Sequence, residues 1–182
     1  MNALRNPIRL GRGLFGLLTF SLVLATTALA QEGVDGALTV TAANTVLNRY
    51  ATLGANATLG ATSFTVTAIA DLSDPTYGAL AAGDLVMIYQ AQGATVDATN
   101  TVNFGTVTDL GSAGRYEVVT VGSVSGNTIT LDASCGGLDF SYATSGNTQV
   151  VRIPQFTTLT VNTGASVVAS AWNGSLSAAR NR

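Results

Sequence analysis

The chain has 182 residues, 47% of them hydrophobic and 10% charged, with 8 Lys and Arg against 10 acids, one Cys and no His. That composition excludes a basic stripe for nucleic-acid phosphates, a zinc or copper centre built on His and clustered Cys, and an internal disulfide. All of the cations are Arg, so the His and Lys that usually activate a Ser or Cys nucleophile are also missing.

The first thirty residues read as a secretion signal. Arg5, Arg9 and Arg12 precede an apolar run from Leu14 to Ala30 that closes on Ala28-Leu29-Ala30. A positive start, an apolar middle and a small-x-small exit form the pattern a signal peptidase cleaves, which predicts a mature chain beginning at Gln31. The alternative is a membrane anchor, but a run of about 17 residues is at the bottom of the spanning range. Cleavage leaves 5 Arg against 10 acids, a net charge of −5, which disfavours an anionic membrane surface as a partner. Contact with the membrane is thus expected only through the uncleaved signal.

Beyond Gln31 the chain reads as short strands separated by turn residues. In "ANTVLNRYATL" (43–53), Val46, Leu47, Tyr50 and Leu53 stand at helical spacing, which suggests one short helix or turn, although the β-branched and Asn residues oppose it. "ATSFTVTAI" (61–69) alternates, with Phe64, Val66 and Ala68 on one face. "DLSDPTYGALAA" (71–82) reads as a loop. Gly83-Asp84 then opens "LVMIYQ" (85–90), which is apolar on both faces and so reads as a central strand. A phosphate-binding loop would need further glycines, a Lys or a following helix. Gly83 and Asp84 are therefore assigned to a strand-initiating turn, with Gly free to take positive φ and Asp bonding nearby backbone.

Residues 92–114 are polar and Gly-rich, with isolated Val102, Phe104 and Val107. A structureless stretch of about 20 residues is unusual in a compact domain and tends to be functional or mobile. "RYEVVTVGSV" (115–124) and "NTITLD" (127–132) flank Ser125-Gly126 as a hairpin. Val86, Ile88, Val119, Val121, Ile129 and Leu131 are the expected core. Cys135, in "ASCGG", reads as a small, partly buried residue. "TQVVRIP" (148–154) is a strand stopped by Pro154, and "TTLTVN" (157–162) and "ASVVAS" (165–170) flank Thr163-Gly164. Many short strands at this spacing predict an all-β fold, a small β-barrel or sandwich-like domain followed by a C-terminal strand pair. One such pair alone is marginal in water, and its edge is a site for self-association.

Chemistry is sparse. Asp71, Asp74, Asp97, Asp109 and Glu117 are the carboxylates available for acid–base work, and none stands in a diagnostic setting. "DLSDP" and "DATN" offer oxygens to calcium but do not match a calcium-loop spacing. No catalytic residue, metal ligand or cofactor is assigned. Asn56-Ala57-Thr58 and Asn173-Gly174-Ser175 match a glycosylation sequon and read as ordinary turns. Phe104, Phe140, Tyr142 and Trp172 are the candidate partner-binding surface, for a glycan or a protein; the competing assignment for the last three is core packing, where aromatics dominate.

The blocks "NTVLNRYATL", "GATSFTVT", "AAGDLVMIYQAQGA", "GRYEVVTVGSVSGNTITL" and "QVVRIPQFTTLTVNTGASVVASAWNG" occur in that order. Together they resemble the N-terminal region of large exported surface proteins of myxobacteria and related bacteria, some called adventurous-gliding-motility proteins. The resemblance covers roughly residues 44–174 and rests on several blocks in order. Members of that group continue after "AWNG" into Gly-rich repeats that look like a β-solenoid, whereas this chain reads "SLSAARNR". The resemblance implies a signal peptide (1–30), a β-rich domain (31–155) and a truncated start of a solenoid-like segment (156–182). It also implies an exported module, secreted or on the outer cell surface, that is a non-catalytic cap or spacer before a repeat region; the alternative is an adhesin-like module that binds a glycan or surface partner. Gly83-Asp84 separately resembles the short "GD box" of small cradle-loop barrels.

Overall fold

The computed structural model describes residues 34–169. The signal segment, Trp172 and the second sequon lie outside them. Ten strands are present: β1 (Ala37–Val40), β2 (Arg49–Thr52), β3 (Ser63–Thr65), β4 (Leu85–Gln90), β5 (Thr95–Val96), β6 (Val107–Asp109), β7 (Tyr116–Ser125), β8 (Thr128–Leu131), β9 (Thr148–Ile153) and β10 (Thr158–Val161). The remaining regular structure among these residues is three short 3-10 turns. The fold is all-β, as the strand pattern predicts.

Six strands form one antiparallel sheet in the order β2-β9-β4-β7-β8-β3. The sheet curls until its two edge strands meet, where Leu53 bridges to Val66. Gly54 N donates to Thr65 O at 2.7 Å and Thr67 N to Thr52 O at 2.9 Å, closing a small barrel along that part of its height. Where the two edge strands meet, backbone groups that would otherwise be open to association are paired.

Alternation along each strand fills this barrel. Val86 and Ile88 of β4, Val119 and Val121 of β7, Ile129 and Leu131 of β8, and Val150 of β9 are all buried. Phe64, Val66, Ala51, Leu53 and Tyr142 complete the same cluster. Each large apolar side chain so buried contributes about 1.5–3 kcal/mol relative to exposure. All six residues expected in the core are there, and β4 is central, between β9 and β7.

The hairpin of β7 and β8 turns on Gly126-Asn127, with Gly126 at φ +56°. Positive φ at the first of two turn residues is the type II′ geometry that matches strand twist. The register then shifts between Val121 and Ser123, so Gly122 is the extra residue of a bulge. A Cβ there would lie 2.6 Å from the Leu131 carbonyl oxygen, so the close approach of the two backbones requires glycine.

Three local expectations are corrected. Residues 43–53 form no helix: Arg49–Thr52 is a strand on β9, with Ala51 buried between neighbours. The 3.6-residue spacing was outweighed by pairing with β9, and Asn44 at φ 59° breaks any helical path upstream. Residues 92–114 are not structureless, since β5 and β6 pair into a small two-stranded arm. Finally, the segments flanking Thr163-Gly164 do not pair with each other. Instead β10 runs parallel to β1, in register from Ala37↔Thr158 to Val40↔Val161, and Val167 bridges in parallel to Thr45. The C-terminal strand therefore finds its partner at the start of the described chain, and the barrel lies in sequence between the two strands of this parallel ladder.

Candidate functional site: the junction of barrel and ladder

The inward-facing positions of β9 are Thr148, Val150 and Arg152, all buried. Arg152 thus projects into the barrel end nearest the ladder, opposite Val86 of β4. A guanidinium so placed must have its donors and its charge met; the surrounding turns meet both terminal nitrogens, while Nε is buried without a partner. Its Nη2 lies 2.9 Å from Asp84 Oδ2 and 3.3 Å from Asp35 Oδ1. Nη1 donates to Gly78 O at 2.8 Å and Leu72 O at 3.4 Å, and Nη2 to Tyr77 O at 3.3 Å. The guanidinium also sits 4.7 Å from the centre of the Tyr77 ring, a cation–π geometry.

Each of these partners is fixed by its own local structure. Gly83, at φ +93°, donates from its N to Val121 O at 2.8 Å. Asp84 accepts from Ala81 N at 2.8 Å, and its backbone joins β7 through Val121 N to Asp84 O at 2.8 Å. The Gly-Asp pair does start a strand, and its carboxylate is in addition an ion partner of Arg152. Asp35 accepts from Gln155 N at 2.6 Å, so one carboxylate ties the turn leading into β1 to both β9 and the segment entering β10. A second pair lies alongside, with Arg49 Nη2 2.6 Å and Nε 2.7 Å from Asp74 Oδ2. The Tyr77 hydroxyl donates to Leu47 O, and its ring packs edge-on against Phe156 at 5.7 Å. Burial, then the Asp74 charge, push the Tyr77 phenol up to about 12, so it is a donor and not an acid at neutral pH.

This centre positions elements. Asp35, Asp74 and Asp84 each face an Arg, which leaves none of them a free base, and the two Arg are held by carboxylates and carbonyls. Among the described residues no group of three metal-ligating side chains gathers. Asp97 of "DATN" accepts from both the hydroxyl and the amide of Thr99, which hold its carboxyl below the usual range; this is turn chemistry. Asn56 of the first sequon is similarly occupied, its Oδ1 accepting from Thr144 N at 2.9 Å.

The opposite end of the barrel is closed by Gln90, which donates to Gln92 O at 2.7 Å and accepts from Ala143 N at 2.9 Å. Cys135 is half-buried, with Sγ 3.9 Å from Thr120 O. Among the aromatic candidates, Phe104 is exposed on the β5–β6 arm, and Phe140 is 40% exposed with the Arg115 guanidinium 5.6 Å from its ring centre. Tyr142 is corrected: at 1% exposure it belongs to the core, and burial together with nearby Glu117 pushes its phenol well above the ordinary range. Its backbone pairs with Ala57 in both directions, which turns the ring inward.

Arg152 was missed by sequence reasoning. The available signal was its place in "TQVVRI", two residues after Val150 and on the same face of an alternating strand.

No family model matches the chain, and no curated protein matches it. Among solved structures it is similar to three phage tailspikes. The tailspike gp61 of Pseudomonas phage phi297 is 18% identical over 75% of this chain and 20% of that one, with a TM-score of 0.37. The Gp54 tailspike of Acinetobacter baumannii bacteriophage AP22, solved with a capsular saccharide, is 19% identical over 73% and 21%, with a TM-score of 0.39. The tailspike gp49 of Pseudomonas phage LKA1 is 15% identical over 66% and 20%, with a TM-score of 0.36. The chain spans about a fifth of the length of each of these proteins.

Proposed function

We propose that the chain is a non-catalytic, exported cell-surface β-module that caps or spaces the start of a stacked β-repeat region. The observation that carries this reading is the β1–β10 ladder. Leu38 stands beside Leu159 and Val40 beside Val161 in parallel register, with Thr45 beside Val167 one turn further on. Equivalent side chains stacked on successive parallel strands are the repeating unit of a β-solenoid. The ladder is tied to the barrel through Asp35 and Arg152, which supports the barrel as its base. Buried acids and guanidinium groups engaged with each other support a structural role over a catalytic one.

A second reading, a glycan- or surface-partner-binding module, draws on Phe104 and on Phe140 with Arg115, the exposed aromatic positions. Both readings need export. Terminal sequencing of the protein recovered from outside the cytoplasm is expected to begin at Gln31, after Ala28-Leu29-Ala30. An exported form that retains Met1 contradicts the signal-peptide assignment and leaves a membrane-anchored module.

A further inference from the structure

We propose that the outer edge of β10 is a docking edge for an extended polypeptide strand that runs parallel to it and carries apolar side chains at alternate positions. The inference rests on reading the ladder as the first layers of a longer stack, and it names what the next layer is made of. Among the described residues β10 has one strand neighbour, β1. Val40 is 3% exposed, whereas its partner Val161 on the next layer is 46% exposed, and Leu159 and Val167 are also open, at 47% and 42%. A further strand laid on β10 continues the β1–β10 interface and covers those open side chains.

The edge lacks the usual protection. Strand edges that stay unpaired commonly carry a charge, a proline or a bulge. From Phe156 to Ala169 the chain has no charged residue and no proline, and β10 pairs with β1 without a register shift. The chemistry of the occupant follows from the edge. Main-chain hydrogen bonds supply affinity in strand addition, and alternate side chains supply selectivity. Two apolar residues spaced by one would meet Leu159 and Val161, and small polar residues such as Thr would match Thr158 and Thr160 on the other face. The direction is parallel because the existing interface is parallel.

The test uses the protein from Gln31 on and a short synthetic peptide, unrelated in sequence to this chain's own strands, that alternates Thr with Leu and Val, titrated by NMR, with a nitroxide placed at one or the other peptide end. Saturable shifts at the amides of Thr158–Val161 are expected. An N-terminal nitroxide should broaden resonances near Thr157, and a C-terminal one those near Val167. L159K/V161K should weaken binding by about tenfold or more, with barrel resonances unmoved, whereas V102K on the arm should leave binding unchanged. The nitroxide measurement does not depend on the variants folding. Several results overturn the proposal: no binding although β1 and β10 amides are protected from exchange, broadening in the antiparallel sense, or equal binding by the lysine variant. The first of these leaves the ladder and the cap reading standing. Shifts at β10 that depend on protein concentration alone also overturn it, by making a second copy the occupant. Unprotected β1 and β10 amides remove the ladder itself, and with it the cap reading.

Discussion

Arg152→Ala is expected to lower stability by about 3–5 kcal/mol, the cost of removing one partner from a buried charge cluster. The side chain is 2% exposed and is the cation for Asp84 and Asp35, whose side chains are 7% and 5% exposed. Truncation leaves both largely buried carboxylates without that cation, and it removes a donor from the carbonyls of Gly78 and Tyr77. Arg152→Lys keeps the charge but not the planar fork that reaches acceptors on several sides, so it should fall between wild type and Ala. Urea unfolding followed by tryptophan-independent far-UV dichroism measures the change in midpoint. A midpoint within experimental scatter of wild type for Arg152→Ala would show that the guanidinium is solvated and holds nothing together.

Ile129→Ala is expected to cost about 2–5 kcal/mol, the range for truncating a large aliphatic side chain in a core. Ile129 lies on β8 between β7 and β3 and is fully buried. Its loss opens a cavity in the packed core of the curled sheet. Val102→Ala, on the arm and fully exposed, should stay within about 0.5 kcal/mol. Equal midpoints for the two variants would contradict the placement of the core inside the six-stranded sheet.

Period-two alternation made the barrel strands legible, because a strand with one face in a core writes that face into every second residue. "SFTV" and "TITL" were read correctly for this reason. The β7–β8 hairpin was legible because a two-residue turn demands a residue with positive φ, here Gly126, although the turn is Gly126-Asn127 and not Ser125-Gly126. What alternation does not encode is which strands lie side by side. β1 and β10 are separated by the whole barrel, and neither carries a mark naming the other. The C-terminal strand therefore looked as if it needed a local partner across Thr163-Gly164. Arg49–Thr52 was obscured by a chance helical spacing of Val46, Leu47, Tyr50 and Leu53, which pairing with β9 overrides. Tyr142 and Phe140 illustrate a different limit. They are two residues apart, yet one is buried and the other open, because Tyr142 is held by a single bridge to Ala57 and not by a strand whose parity could be read. The role of Asp84 was half legible: the turn is local, while the ion pair requires Arg152 to arrive from β9.

Amide hydrogen exchange across the chain tests the central claim, that β1 and β10 form one ladder braced on the barrel. The account predicts the strongest protection in β4, β7, β8 and β9, and a second, weaker level shared by Leu38–Val40 and Leu159–Val161. It also predicts that Arg152→Ala lowers protection in β1 and β10 together. Exchange of β10 at the rate of an unstructured peptide, while the barrel strands remain protected, would contradict the ladder and the cap or spacer role built on it.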